Sequence, residues 1–347
     1  GEFRSPHGEG GPAHVETSIV LAPGAPAPSP GALPRALAVV VTDRPIAAVP
    51  RLPPTTPQFR LHVPGDIAQL TAASLTHRRL TPSAAPATGR GIRVAVVDTE
   101  FEDHPFFKAH GYRIGRLMPG AAPSFGPPPP HGTSTLACML ACAPDVESIG
   151  VGIGEDSVLA FLVALDSGAR VISFSFVWDL DGEISIPYIH LPLQISILSA
   201  VSLGVTVVVS AGNGEVEAFP ALMPEVVAVG AVRVDAPSDT TSPWPGSSSF
   251  VSRISPGRVV PDLCGMGEAI LAPSAAPQYW MALDGTSFAT PQVAGVTALL
   301  LQKRPQLTPQ QVRDALVSGA VPVPPGFPPG PGTGAGLVNA LNSWKAV

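Results

Sequence analysis

Four short runs of consecutive apolar and β-branched residues stand out in the second and third quarters of the chain. Runs of this kind are typical of strands that are buried on both faces of a parallel sheet, because a half-exposed strand would alternate apolar and polar positions. The predicted strands are Ile92–Val97, Val171–Phe176, Val205–Ser210 and Val226–Val232.

Segments with helical character lie between these strands. Residues 158–167 and 193–203 are predicted helices, and each is followed by a glycine, Gly168 or Gly204, where a helix commonly ends. Strands that alternate with helices predict an α/β fold with a doubly wound, mostly parallel sheet flanked by helices. Because such sheets place their chemistry beyond the carboxyl ends of the strands, polar residues at those ends are candidate site residues.

The first 66 residues have a different composition. They hold 13 of the 43 prolines, together with glycine- and alanine-rich stretches, and the part up to about Pro34 has too little apolar surface to fold alone. Two stretches within this region, Ala36–Thr42 and Phe59–Val63, are predicted strands. We therefore predict an N-terminal extension at 1–66 and one large domain at 67–347. The extension is either a tail that packs over the domain or the remnant of a propeptide or a regulatory arm.

Charge and hydropathy exclude some classes of partner. A net charge of −6 with 13% charged residues leaves no basic patch, which argues against nucleic acid. The mean hydropathy of +0.30 is high, but no uninterrupted apolar run approaches the roughly 20 residues that cross a bilayer. The three cysteines are too few for a disulfide framework, and no spacing of cysteine and histidine resembles a zinc site.

The most informative stretch is residues 284–295, with the sequence DGTSFATPQVAG. A Gly-Thr turn delivers Ser287 to the start of an apolar segment that is predicted to be helical as far as about Leu301, with Thr286 or Ser287 as the N-cap. A serine at a helix N-terminus lies beside free backbone N–H groups that can stabilise an oxyanion. An isolated serine in this position is usually only a cap, so the interpretation depends on residues elsewhere in the chain.

Two other polar residues complete a chemical set. Asp98 follows the first predicted strand, and His131 precedes a second predicted helix at about 133–143. A serine, a histidine and an aspartate supply a nucleophile, a general base, and a carboxylate that orients the base and stabilises its protonated form. The motifs around them are VAVVDT at 94–99, HGT at 131–133 and GTSFATP at 285–291.

In these three motifs, and in their order along the chain, the sequence resembles the subtilisin-like serine protease family, the subtilases. Further similarity at 210–213 (SAGN) and 336–340 (GLVNA) extends the resemblance from about Gly91 to Ala340. The resemblance implies a serine endopeptidase that acts on polypeptides without a cofactor, with Asp98, His131 and Ser287 as its catalytic triad. It also implies that Asn213 donates its side-chain amide to the oxyanion. Structural calcium is common in the family, but no dense acidic loop places an ion here.

The resemblance further implies a set of substrate-binding residues: Ser175, Phe176, Val177, Ala211 and Gly212. Family members commonly have glycine where this chain has Val177 and Trp178. Either these larger side chains narrow the pocket for the residue before the scissile bond, which would make the enzyme selective, or Trp178 turns outward and the pocket is ordinary.

The chain also departs from the family pattern outside the triad. Glu100 and Pro130 replace glycines, and Ser134 and Gln292 replace histidines. We expect an active endopeptidase, and more specifically a protease that selectively processes one dedicated substrate. The alternative is a catalytically weak homologue that serves as a binding or scaffold protein, because Glu100 and the altered substrate strand could impair catalysis.

Two further questions concern rival functions and location. A nucleotide-binding module is disfavoured, because the glycines at 150, 152 and 154 lack the spacing of a dinucleotide-binding motif. Most subtilases are exported, yet free cysteines and the absence of a recognisable leader fit an internal maturation protease equally well. The sequence leaves both the compartment and the oligomeric state open.

Overall fold

The computed structural model describes residues 87–109, 111–112, 114–118, 131–154, 156–180, 182–214, 216–235, 240–268, 270–273, 280–323 and 332–347. The predicted extension at 1–66, including its two predicted strands at 36–42 and 59–63, lies outside these residues.

The described residues form strands and helices in alternation. The strands are β1 (Arg93–Asp98), β2 (Ile114–Met118), β3 (Glu147–Gly152), β4 (Val171–Phe174), β5 (Trp178–Asp179), β6 (Thr206–Ser210), β7 (Ala218–Phe219), β8 (Val227–Asp235), β9 (Thr240–Pro243), β10 (Phe250–Val251), β11 (Val259–Val260), β12 (Leu263–Met266), β13 (Ile270–Pro273) and β14 (Trp280–Leu283). The helices are α1 (Pro105–Ala109), α2 (His131–Cys142), α3 (Ser157–Asp166), α4 (Leu191–Ser202), α5 (Thr286–Lys303), α6 (Pro309–Gly319) and α7 (Ala340–Ala346), with a 3₁₀ turn at Tyr188–His190.

An eight-stranded sheet forms the centre of the fold. Its strands lie in the order β12-β8-β6-β4-β1-β3-β2, and all neighbours in this order are parallel, while β9 pairs with β8 in the antiparallel sense. The prediction of a doubly wound, mostly parallel sheet is therefore confirmed. From β1 the chain runs first to β2 at one edge and returns through β3 to the side of β1, and it then crosses to β4 on the other side of β1 and continues toward the opposite edge. The carboxyl ends of β1 and β4 thus flank the switch point at which sheets of this type bind ligands.

Helices cover both faces of the sheet, which explains the continuous apolar runs. Successive residues of β1 point to opposite faces, so that Val94 and Val96 join the core under α2 and α5, while Ala95 and Val97 join the core under α3 and α4. All four of these side chains are fully buried. The four predicted strands correspond to β1, β4, β6 and β8.

A glycine lets α2 and α5 pack in close contact. A Cβ atom added to Gly295 would lie 2.7 Å from the Cβ of Cys142 and 2.9 Å from the carbonyl oxygen of Met139. Since α2 begins at the predicted histidine and α5 at the predicted nucleophile, this close crossing helps to set the distance between the two residues.

The three cysteines, Cys138, Cys142 and Cys264, are all buried. Burial raises the pKa of the Cys138 and Cys264 thiols well above the ordinary value. They pack as small hydrophobic residues, as the sequence predicts. Among the helices described, none combines the length and the apolar character needed to cross a bilayer.

Candidate active site

Asp98 and His131 are in direct contact at the carboxyl end of β1. The Asp98 side chain is fully buried, and its Oδ1 lies 2.6 Å from Nδ1 of His131. Oδ1 also accepts a hydrogen bond from the Thr99 N–H (2.7 Å), and Oδ2 accepts one from the Thr135 hydroxyl (2.9 Å). A buried carboxylate requires such donors. Because an ionised carboxylate only accepts, Nδ1 of His131 is the donor in this contact, and in the neutral imidazole Nε2 is then the acceptor.

The His-Gly pair fits the histidine helix against the loop that follows β1. The Gly132 N–H donates to the Thr99 hydroxyl at 3.0 Å. A Cβ atom on residue 132 would lie 2.8 Å from the Glu100 carbonyl oxygen and 3.0 Å from the Phe101 ring. Glycine is therefore required for the first turn of α2 to approach the loop and bring His131 to Asp98.

Ser287 is the second residue of α5, and it does not cap the helix. The N-cap is Gly285, whose φ of +155° favours glycine and which has no side chain that could cap the helix. The prediction that Thr286 or Ser287 supplies the N-cap is therefore wrong. The Thr286 hydroxyl lies instead within hydrogen-bonding distance of the Gly212 carbonyl and of Oδ1 of Asn213. The chain enters the helix at glycine, so both side chains already belong to its first turn.

The hydroxyl of Ser287 faces the end of β4. Its Oγ donates to the carbonyl oxygen of Ser175 at 3.4 Å, and the side chain is half-buried. Within the described part of the chain, no hydrogen bond joins Ser287 Oγ to His131. The following residue, Phe288, does contact the imidazole, with ring centroids 5.1 Å apart. The structure thus joins Asp98 to His131 directly and places Ser287 on the adjoining helix. Catalytic hydrogen bonds are often long in ligand-free enzymes.

Asn213 lies beside the N-terminus of α5. Its Oδ1 accepts hydrogen bonds from the N–H and the hydroxyl of Thr286, each at 3.0 Å. A backbone N–H can only donate, so the atom that faces it is the amide oxygen, and Nδ2 points the other way. Nδ2 lies 3.6 Å from the position of a Cβ on Gly285. Neither Nδ2 nor the Ser287 N–H has an acceptor among the described residues, so two donors are available for an anion.

The predicted substrate residues after β4 move gradually out of the core. Ser175 is buried, whereas Phe176 and Val177 are half-buried. The next residue, Trp178, pairs in β5 with Phe219 of β7.

The Trp178 ring is held in an aromatic cluster. Its centroid lies 6.2 Å from that of Phe174, 5.2 Å from that of His190 and 6.1 Å from that of Phe219. The His190 and Phe219 rings are also stacked, with centroids 5.2 Å apart, and burial lowers the pKa of His190. Trp178 is therefore half-buried and packed against other rings instead of turning freely outward.

Ala211 and Gly212 continue from β6 toward Asn213. Ala211 is fully buried, and its N–H donates to the Val229 carbonyl at 2.8 Å. Gly212 has a φ of +103°, and a Cβ there would lie 3.0 Å from the Ser248 hydroxyl. Both residues therefore have structural reasons for their small size.

The other departures from the family pattern have local explanations. The Ser134 hydroxyl donates to the Pro273 carbonyl at 2.5 Å. Gln292 is fully buried, and its Nε2 donates to the carbonyls of Met266 (2.6 Å) and Phe288 (2.8 Å). Glu100 is exposed to solvent, and Pro130 lies outside the described residues.

Sequence reasoning missed the two threonines that hold Asp98. Thr99 follows the aspartate directly, and Thr135 lies four residues after His131. Helical periodicity could have indicated Thr135, because residues i and i+4 share one face of a helix.

No group of three or more His, Cys, Asp and Glu side chains in the described ranges could hold a metal ion. The expectation about calcium therefore stays a prediction.

The model of the subtilase family matches residues 89–336. The chain belongs to the subtilase family. This subtilase is 30% identical over 308 residues to M-protease from Shouchella clausii (strain KSM-K16), covering 80% of the chain and 69% of that protein. It is 28% identical over 277 residues to subtilisin from Bacillus pumilus, covering 74% and 91%.

A solved structure of the prenylagaramide maturation protease PagA is also similar to this subtilase. It superposes with a TM-score of 0.57 at 26% identity, covering 74% of this chain and 93% of that one. Together, these similarities identify the chain as a serine-type endopeptidase of the hydrolase class.

Proposed function

We propose that this subtilase cleaves peptide bonds with Ser287 as nucleophile, His131 as general base and Asp98 as the carboxylate that orients the base. The observation that carries the proposal is the 2.6 Å contact between a fully buried Asp98 and Nδ1 of His131. This contact directs Nε2 away from the aspartate as the proton acceptor. Phe288, the residue after Ser287 in α5, packs against the same imidazole.

The chemistry begins with a rotation of the Ser287 hydroxyl. Its present hydrogen bond to Ser175 is long, at 3.4 Å, and therefore weak. When Oγ turns to His131, Nε2 accepts its proton while Oγ attacks the substrate carbonyl carbon. The protonated imidazole then donates that proton to the leaving amine as the C–N bond breaks. Water hydrolyses the acyl-enzyme ester by the same steps in reverse.

The negative oxygen of the tetrahedral intermediate requires donors. We assign this role to Nδ2 of Asn213 and the N–H of Ser287, which have no other acceptor among the described residues. Thr286 holds the amide oxygen of Asn213 with two hydrogen bonds, so the Nδ2 group is preorganised. Loss of one such donor costs about 10²–10³ in kcat in subtilisin, a relative of this chain.

We also propose that cleavage is selective, as expected of a processing protease. Val177 and Trp178 stand where many relatives have glycine, and the contacts of Trp178 with Phe174, His190 and Phe219 resist its displacement by a substrate side chain. The similar protein PagA is named a maturation protease. Profiling against a diverse peptide library tests this proposal: we expect a preference for small residues before the scissile bond, and broad acceptance that includes large aromatics would contradict it.

Hydrolysis of a p-nitrophenyl ester by matched variants tests the triad. We expect Ser287→Ala and His131→Ala to lose nearly all activity, Asp98→Asn to lose about 10⁴ in kcat, and Asn213→Ala about 10²–10³. Each variant should keep the circular dichroism spectrum of the parent protein. A folded Ser287→Ala variant with parental activity would refute the assignment.

A further inference from the structure

Helix α5 continues through a proline. Pro291 lies inside the helix, five residues after its first residue. Proline has no backbone N–H, so the carbonyl four residues earlier loses its usual helical donor. That carbonyl belongs to Ser287, the proposed nucleophile.

A side chain from a distant part of the sequence supplies a donor to this carbonyl. The Ser175 hydroxyl, just beyond the end of β4, donates to the Ser287 carbonyl at 3.1 Å, although 112 residues separate the two serines. Ser175 is only 6% exposed, so water is an inefficient substitute for this contact. The Ser287 hydroxyl returns a longer bond to the Ser175 carbonyl. Two reciprocal hydrogen bonds therefore join the end of β4 to the first turn of α5.

The carbonyl of the next residue, Phe288, also accepts a hydrogen bond from a side chain. Gln292, directly after the proline, donates from Nε2 to the Phe288 carbonyl at 2.8 Å and to the Met266 carbonyl of β12 at 2.6 Å. Side chains therefore donate hydrogen bonds to the carbonyls of Ser287 and Phe288. Of these two, the Ser287 carbonyl is the one that lacks a helical donor because of Pro291.

We propose that Ser175 is a positioning residue for the nucleophile, because its hydroxyl replaces the donor that Pro291 lacks and fixes the peptide group of Ser287. This role rests on the proposed function of Ser287. The orientation of that peptide group sets the Cα of Ser287, and the Cα carries both the attacking Oγ and the N–H assigned to the oxyanion. A misplacement of about 1 Å at such a centre costs about 100-fold in rate.

Three single variants separate positioning from general damage. Ser175→Ala removes the hydroxyl but keeps the backbone, and Ser175→Thr keeps a hydroxyl. Ser173→Ala is the matched control, because Ser173 lies in β4 two residues before Ser175, is fully buried, and has a hydroxyl without a hydrogen-bond partner among the described residues.

Steady-state hydrolysis of a p-nitrophenyl ester is the readout. We expect Ser175→Ala to lower kcat by about 10- to 100-fold with KM within about twofold, Ser175→Thr to recover most of the loss, and Ser173→Ala to match the parent protein. Unchanged kcat in folded Ser175→Ala, or no recovery with threonine, would overturn the proposal.

A double-mutant cycle with Pro291→Ala tests the physical cause. Alanine restores an N–H at position 291, so the Ser287 carbonyl regains a helical donor and Ser175→Ala should then cost less in kcat than it does in the parent protein. An equal cost in both backgrounds would contradict the idea that Ser175 substitutes for the missing donor.

The cycle of Ser175→Ala and Pro291→Ala is also measured by thermal unfolding midpoints in a Ser287→Ala background. This background keeps the backbone carbonyl of residue 287. If the parent protein hydrolyses no ester, the proposed function fails and the positioning role fails with it. Non-additive midpoints would still establish the hydrogen bond itself, and additive midpoints would refute it.

Discussion

Replacing Thr135 with valine removes one hydrogen-bond donor from the buried Asp98 carboxylate and leaves the side-chain volume almost unchanged. The Thr135 hydroxyl lies 2.9 Å from Oδ2 of Asp98 and 3.1 Å from the Gly132 carbonyl. It has only one proton, and the charged, closer acceptor is the stronger partner. After the substitution, Oδ2 loses the donor that this hydroxyl provides.

The expected magnitude follows from the charge and the burial of the acceptor. Hydrogen bonds to charged groups contribute about 1.5–3 kcal/mol each. Asp98 is fully buried, so water cannot readily replace the lost donor, while the Thr99 and His131 contacts to Oδ1 remain. We therefore expect the free energy of unfolding to fall by about 1.5–3 kcal/mol.

Urea unfolding followed by circular dichroism measures this change. The parent, Thr135→Val and the control variant all carry Ser287→Ala, so that self-digestion does not distort the transitions. Thr297→Val is the control, because Thr297 is also fully buried but its hydroxyl has no hydrogen-bond partner among the described residues. We expect this control to equal or exceed the parent stability. The reasoning is refuted if Thr135→Val unfolds like its parent, or if both variants lose the same amount.

Three further substitutions are tested by urea unfolding in the same background. Burial raises the pKa of Glu217, but hydrogen bonds from Ser252 and Arg253 outweigh it and hold that pKa below the ordinary 4.5. Glu217→Gln should therefore be less stable than the parent at pH 7, and the difference should vanish as the pH falls through the folded-state pKa. Glu102 has the opposite shift, because burial and then the charge of Glu100 raise its pKa; Glu102→Gln should be more stable at pH 7, with the gain lost in acid, and a loss at pH 7 would contradict this. Gly132→Ala should cost about 1–3 kcal/mol, because its Cβ would lie 2.8 Å from the Glu100 carbonyl, and unchanged stability would show that the loop yields freely.

The strands and helices that follow local rules could be predicted from the sequence. Strands β1, β4, β6 and β8 are buried on both faces, which imposes continuous apolar runs. The helices that end near Gly168 and Gly204 do so because these glycines take φ values of +79° and +85°, which glycine adopts readily.

Features that depend on distant contacts could not be predicted in the same way. Strand β3 has glycines at 150 and 152, which weaken the local preference for strand, and it forms because these residues pair in parallel with Val96 and Asp98 of β1. The N-cap prediction at α5 failed because Asn213, 73 residues earlier, engages Thr286. The resemblance implied the triad residues. The hydrogen bond from the Ser175 hydroxyl to the Ser287 carbonyl could not be predicted, because it forms only when the fold brings the end of β4 against the first turn of α5.

Active-site labelling tests the central claim most directly. A fluorophosphonate reacts with an activated serine hydroxyl, and peptide mapping by mass spectrometry locates the adduct. We predict a single adduct on Ser287 in the parent protein, none on that peptide in Ser287→Ala, and a greatly slowed reaction in His131→Ala. Folded parent protein that remains unlabelled at neutral pH, or an adduct on a different serine, would contradict the account.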